Sequence, residues 1–226
     1  MLDLLTEAQS LEGDIPEQYE DWLSQGQAAT DRIANRVACV VLLAASWIEA
    51  VLNETYIHCV DRSFPTEHPL REHPQACEAL AALWTEWHPS DRPAQDPGWS
   101  KRSTAALKAL GVQHPRNALP SFHDTELLFE MRNALTHAKP ESLTHGALSS
   151  ADIAKRLGRL QQRLEKRFPT AKGVPTSAIF MWVRVLGRGC AEWAASTAQS
   201  FVEEWRLELA KAGAIYHSDT EPVDGR

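Results

Sequence analysis

Residues 30–59, TDRIANRVACVVLLAASWIEAVLNETYIHC, decide how this chain folds. Ile33, Val37, Val40, Val41, Ala44, Trp47, Ile48 and Val51 recur at steps of three and four, which places them on one broad face of a helix. A strand would need apolar and polar residues to alternate. No run of alternating β-branched residues between hairpin turns occurs in the chain. The spacing therefore predicts a long helix with a wide buried face.

Working outward, the same period governs nearly everything else. Upstream, PEQYEDWLSQ begins a short helix with Pro16 near its first turn. Downstream, 61–99 carries Pro65, Pro69, Pro74, Pro89, Pro93 and Pro97, and only Gln75 to Trp87 reads as helix. SKRSTAALKALG is a compact helix with a serine cap, Ser100, and Gly111 as its stop. SFHD opens the next as a capping-box variant, Ser121 at the cap and Asp124 three residues on, and that helix ends in RNALTHA. Another is capped by Ser150 and stopped by Pro169. The last runs from Ser177 to Ala212, with Ile179, Trp182, Leu186, Trp193, Thr197, Phe201 and Trp205 as its stripe and Gly187 and Gly189 as points of bending.

The expected fold class is all-α, an antiparallel helical bundle over 30–212 with additional helices and a Pro-rich inserted segment at 61–99. An acidic leader with a short helix (1–29) precedes it, and a polar tail (213–226) that should fray follows it. No internal repeat is present.

At 43% hydrophobic and 23% charged, the chain can bury a real core. Its formal net charge of −7 should repel nucleic acid and anionic membrane, so any nucleic-acid site must be a local basic patch. Cys39, Cys59, Cys77 and Cys190 are widely spaced, with no C-x-x-C, and read as reduced thiols. The acidic MLDLLTEAQSLEGD lacks the basic region of a signal peptide. The longest uncharged apolar run, Val37 to Ile48, falls short of the ~20 residues that span a bilayer. The expectation is a cytoplasmic protein with no membrane partner.

The chemistry concentrates in RNALTH. Arg132 and His137 sit about 140° apart around an ideal helix and about 7.5 Å apart along it. They meet if the last turn loosens before Pro140, since Lys139 is pushed out of the α region, or across a two-fold axis between two chains. Histidine titrates near neutral pH and can take a proton from a ribose 2′-hydroxyl or deliver one to a leaving 5′-oxygen. Arginine can clamp two phosphate oxygens as charge builds, and Asn133 adds an amide that orients either group. Nothing in the set calls for a metal or another cofactor.

R-N-x-x-x-H closing a helix, in an all-helical chain of this size, resembles the signature of the HEPN superfamily (higher eukaryote and prokaryote nucleotide-binding domains). That family's pattern is an arginine, commonly a polar residue after it, and a histidine four to six positions on, here Arg132, Asn133 and His137. The resemblance implies a homodimeric bundle that juxtaposes two motifs in a cleft. It also implies metal-independent endoribonuclease activity, often as a toxin or in antiviral defence, with an antitoxin or defence-system partner protein. Toxin members paired with a minimal nucleotidyltransferase antitoxin place a tyrosine two positions after the histidine, where this chain has Lys139.

Two further constellations accompany the motif. Glu49 and Asn53, at i and i+4, share a face of the long helix, where they would line the cleft or link one helix to another. Over 152–168, Lys155, Arg156, Arg159, Arg163, Lys166 and Arg167 form a cationic face beside Ile153, Leu157, Leu160, Leu164 and Phe168. That face is the candidate for binding an RNA backbone, against the alternative of a solvated surface. His58, Cys59, His68, His73 and Cys77 match no compact zinc spacing. Trp84 and Trp87 are the tryptophans expected nearest the surface, where they would stack on bases. From a different class, the alternative function is a catalytically silent helical binding or scaffold protein.

Overall fold

The computed structural model describes residues 27–136 (apart from 66, 67, 72, 92, 95 and 96), 158–169 and 185–218, with side chains from 32 to 211. Every regular element among them is helical and none is a strand. In chain order they are α1 (Gln27–Asp61), α2 (Pro74–Trp87), α3 (Trp99–Ala109), α4 (Pro115–Ala118), α5 (Phe122–Thr136), α6 (158–164) and α7 (Arg188–Ser218). The described residues of 1–46 and 123–198 form one compact unit, and those of 47–122 and 199–226 form a second.

In the first unit, Val37, Val40, Val41 and Ala44 of α1 are fully buried, as their spacing predicts. Leu128 and Met131 of α5, Leu164 of α6 and Cys190 of α7 are buried without exposure as well. The Cys190 Sγ lies 3.9 Å from the Met131 Sδ, and the Phe168 and Trp193 rings pack 5.4 Å apart. Gly189 gives α7 a close approach to Pro169, since a Cβ there would sit 3.1 Å from the proline ring and carbonyl.

The second unit is built on aromatics. Trp99 packs against Phe122 and Phe201 at 5.1 and 5.8 Å, and Phe201 stacks on Trp205. The Trp205 indole N–H donates to the Thr55 hydroxyl at 3.2 Å, and that hydroxyl donates to the Val51 carbonyl at 2.9 Å. A fully buried indole is thus satisfied rather than orphaned.

Several boundaries differ from expectation for local reasons. α3 starts one residue before Ser100, on Gly98, whose carbonyl accepts from the Lys101 and Arg102 N–H groups. The early start buries Trp99. The stop at Gly111 holds: at φ +83° it lets Val112 N–H reach the Leu107 carbonyl and Gly111 N–H the Lys108 carbonyl, a Schellman closure. Ser121 does precede α5, but its hydroxyl donates to Glu204 at 2.6 Å, and Asp124 reaches Arg167 instead. α6 ends at Leu164, so Lys166 and Arg167 sit in the turn that follows rather than on the helix face. Among the described residues α7 runs from Arg188, beyond a bend at 186–187, past the predicted end to Ser218, while the predicted start at Ser177 lies outside them.

The Arg32–Asp61 segment is long and apolar enough to cross a membrane by length and composition, its most apolar 18-residue window having a mean hydropathy of 1.7. Its core-facing side chains, Val37, Val41, Ile48 and Leu52, are covered by the chain itself.

Candidate functional site

Arg132 stands just before the last turn of α5 and Asn133 opens it. Met131 just before them is fully buried and anchors the turn, while Arg132 is half-buried and Asn133 exposed. The Arg132 Nη1 donates to the Asn133 Oδ1 at 3.1 Å, so the amide orients the guanidinium. The Thr136 hydroxyl donates back to the Arg132 carbonyl at 3.0 Å, supplying a partner to one of the C-terminal carbonyls that a helix leaves open. His137, Lys155 and Arg156 lie outside the described residues.

Earlier on α5, a groove of about 380 Å³ opens between that helix and the α6 region, lined by His123, Leu127, Arg163, Lys166 and Arg167. The sequence-predicted cations Arg163, Lys166 and Arg167 come together here, and His123 joins them. Its position in SFHD, one step off the apolar residue Phe122, was the available signal. The groove is not uniformly positive. Arg163 binds Glu130 at 2.5 Å, Arg167 binds Asp124 at 2.8 Å, and His123 sits 3.3 Å from Glu126. Arg159 and Lys166 remain exposed. With side chains about half exposed, each arginine pair contributes on the order of 0–1 kcal/mol and orients its guanidinium more than it stabilises the fold.

Glu49 and Asn53 do share a face, and what they hold is Arg102. The Arg102 Nη1 donates to the Asn53 Oδ1 at 2.6 Å, and its Nη2 lies 3.8 Å from a Glu49 oxygen. The guanidinium is only 3% exposed. The Tyr56 hydroxyl adds a bond to the Arg102 carbonyl at 2.8 Å. Burial pushes the Tyr56 phenol well above its usual range, against the opposing pull of the Arg102 charge. Of the two readings of Glu49 and Asn53, this geometry realises the helix-to-helix hydrogen bond. Arg102 went unnoticed in sequence, although its spacing from Trp99 and Ala106 placed it on the buried face of α3.

The histidines and cysteines of 58–77 converge only in pairs, and among the described residues no three metal-ligating groups gather. His58 and His68 stand 5.7 Å apart. Burial, then the charges of His58 and Arg206, lower His68 to about 4. The two tryptophans expected near the surface are largely taken up by packing. Trp87 is 7% exposed with its edge on Tyr56, and Trp84 stacks between Tyr56 and His88, at 5.9 and 4.0 Å. No protein-family model, curated protein or solved structure matches the chain.

Proposed function

We propose that this chain is a metal-independent endoribonuclease of HEPN type, working as a homodimer in toxin or antiviral-defence biology. The observation that carries the reading is the R-N-x-x-x-H motif at the end of α5, with Arg132 held by the Asn133 amide in an otherwise all-helical chain. Arg132 clamps the scissile phosphate, and His137 moves the proton between the 2′-hydroxyl and the leaving 5′-oxygen. The products are a 2′,3′-cyclic phosphate and a free 5′-hydroxyl. The groove at His123, Arg163, Lys166 and Arg167 opens between the same helix and the α6 region, and the exposed faces of its cations suit a flanking stretch of RNA backbone.

The test is cleavage of a fluorophore-quencher oligoribonucleotide by the purified full chain. His137→Ala should lower the rate by roughly 10²–10⁴-fold with RNA binding nearly intact. A single 2′-deoxy substitution at the cut site should block the reaction, and a chelator should leave it unchanged. Chelator-sensitive cleavage that ignores His137 would sink the proposal.

One observation favours the second reading, a catalytically silent binding or scaffold protein. Arg163 and Arg167 are both committed to carboxylates of α5, as a cationic face used for packing would be. Biological activity that survives alanine at both Arg132 and His137 would select it.

A further inference from the structure

The end of α1 carries a residue at odds with its backbone. The Ser63 N–H donates to the His58 carbonyl at 3.3 Å, the closing bond of a Schellman motif, and this leaves Arg62 at the left-handed position with φ +51°. Glycine suits that position, because a Cβ there crowds the backbone. α3 meets the same requirement with Gly111 at φ +83°. Among the described residues, Arg62 alone takes a positive φ while bearing a side chain.

What the strained backbone secures is the place of a guanidinium. Arg62 lines an open groove of about 390 Å³ in the second unit with Ser63, Phe64, Arg71, Pro74 and Cys77. Two arginines from either side of 63–70 thus share one cavity with a hydroxyl. The Phe64 ring packs against His68 at 4.8 Å and, with Pro74, gives the groove an apolar wall. Cys77, 5% exposed, donates its thiol hydrogen to the Leu70 carbonyl at 3.2 Å. Arg62 also meets Glu78 at 3.3 Å, but the two side chains are 69% and 65% exposed, so that pair is weak and an anion can replace it. The ion pair therefore does not account for an arginine where glycine fits better.

We propose that this groove binds a small phosphomonoester dianion, its phosphate on Arg62, Arg71 and Ser63 and its organic group against Phe64 and Pro74. Guanidinium forks match phosphate oxygens two at a time, and the Ser63 hydroxyl supplies a further donor. A carboxylate, with two oxygens, would leave donors idle. The volume leaves room beyond the phosphate, since pockets of roughly 300–1,000 Å³ hold small organic molecules. The site stands apart from the ribonuclease reading. It lies in the second unit, whereas Arg132 and the cations of the other groove belong to the first.

The test is calorimetric titration of the full chain with phenyl phosphate, methyl phosphate and inorganic phosphate at constant ionic strength. Saturable one-to-one binding is expected, with phenyl phosphate tighter than methyl phosphate by about three- to tenfold and Phe64→Leu narrowing that ratio. Arg71→Gln should weaken phenyl phosphate by roughly tenfold or more. Arg62→Gly should weaken it as much while raising the unliganded melting temperature by roughly 2–4 °C, because glycine relieves the left-handed φ. Arg163→Gln with Arg167→Gln should leave the affinity unchanged. No saturation with any of the three probes would overturn the proposal, as would binding that survives both Arg62→Gly and Arg71→Gln, or binding lost with Arg163 and Arg167 instead. Inorganic phosphate binding as tightly as phenyl phosphate would assign the groove to free phosphate and overturn the ester. A melting temperature lowered by Arg62→Gly would tie Arg62 to Glu78 and overturn its assignment to a ligand.

Discussion

Arg102 and Arg163 are the same residue type on helices of one protein, and their surroundings give them opposite work. Arg102 is 3% exposed and spends its guanidinium on Asn53 and Glu49. Arg163 is 48% exposed, bound to Glu130 on one side and open to the groove on the other. Water decides the difference. A buried guanidinium must be matched by acceptors inside the protein or it costs several kcal/mol. An exposed one keeps its hydration, so its ion pair is weak and a phosphate can compete for it. Arg132, half-buried and with its Nη1 on the Asn133 amide, stands between the two in exposure.

The sharpest way to break this contrast is to remove each arginine and read two quantities. Arg132→Ala should reduce RNA cleavage by roughly 10²–10³-fold and shift the melting temperature little. Arg102→Ala should do the reverse, because it strands the Asn53 amide and the partly covered Glu49 carboxylate. A loss of about 3 kcal/mol is expected, roughly 6–12 °C for a chain of this size. Asn53→Leu, which leaves the buried cation short of an acceptor, should cost about 2 kcal/mol. Equal losses of stability from Arg102→Ala and Arg132→Ala would erase the distinction.

The groove cations give a smaller and different signature. Arg163→Glu with Arg167→Glu should weaken RNA binding and flatten its salt dependence, lowering the slope of log affinity against log salt by up to about 2. Each lost ion pair should cost stability by at most about 1 kcal/mol, readable in urea melts. An unchanged slope would assign the pair to packing alone.

Stability against pH tests the half-buried pair His58 and His68. His68 is lowered to about 4, chiefly by burial, then by His58 and Arg206. As pH falls from about 6.5 toward 4, the unfolded chain takes the proton first. The stability that depends on neutral His68 is therefore fully present above that window and lost within it. The urea midpoint should fall between pH 7 and pH 4.5, and less steeply in His68→Gln. The smallest effect belongs to Gly111→Ala, about 1 kcal/mol, from forcing a Cβ onto a φ of +83°; an unchanged melting temperature would remove the argument for that stop.

Much of the fold was legible because helical periodicity is a local property. Ile33, Val37, Val40, Val41, Ala44 and Ile48 announce α1 by spacing, and Leu186, Trp193, Thr197, Phe201 and Trp205 do the same for the last helical region. All eleven are buried. The candidate site was legible only in part. Arg132 and Asn133 are readable from their order, and three groove cations from their clustering. His123 offered only its place beside the apolar Phe122, and Trp87 gave no sign that Tyr56 would cover it.

By itself, then, the sequence determined that α1, α2, α3, α5 and α7 are helical, which of their faces are apolar, and that a positive-φ glycine closes α3. Those features depend on backbone bonds four residues apart and on side chains one turn away. Only the tertiary structure decided that Asn53 meets Arg102 across 49 residues, Glu130 meets Arg163 across 33, and Ser121 meets Glu204 across 83. Such partners are chosen by which helices pack together and how much water is left between them. Spacing along the chain carries no record of either.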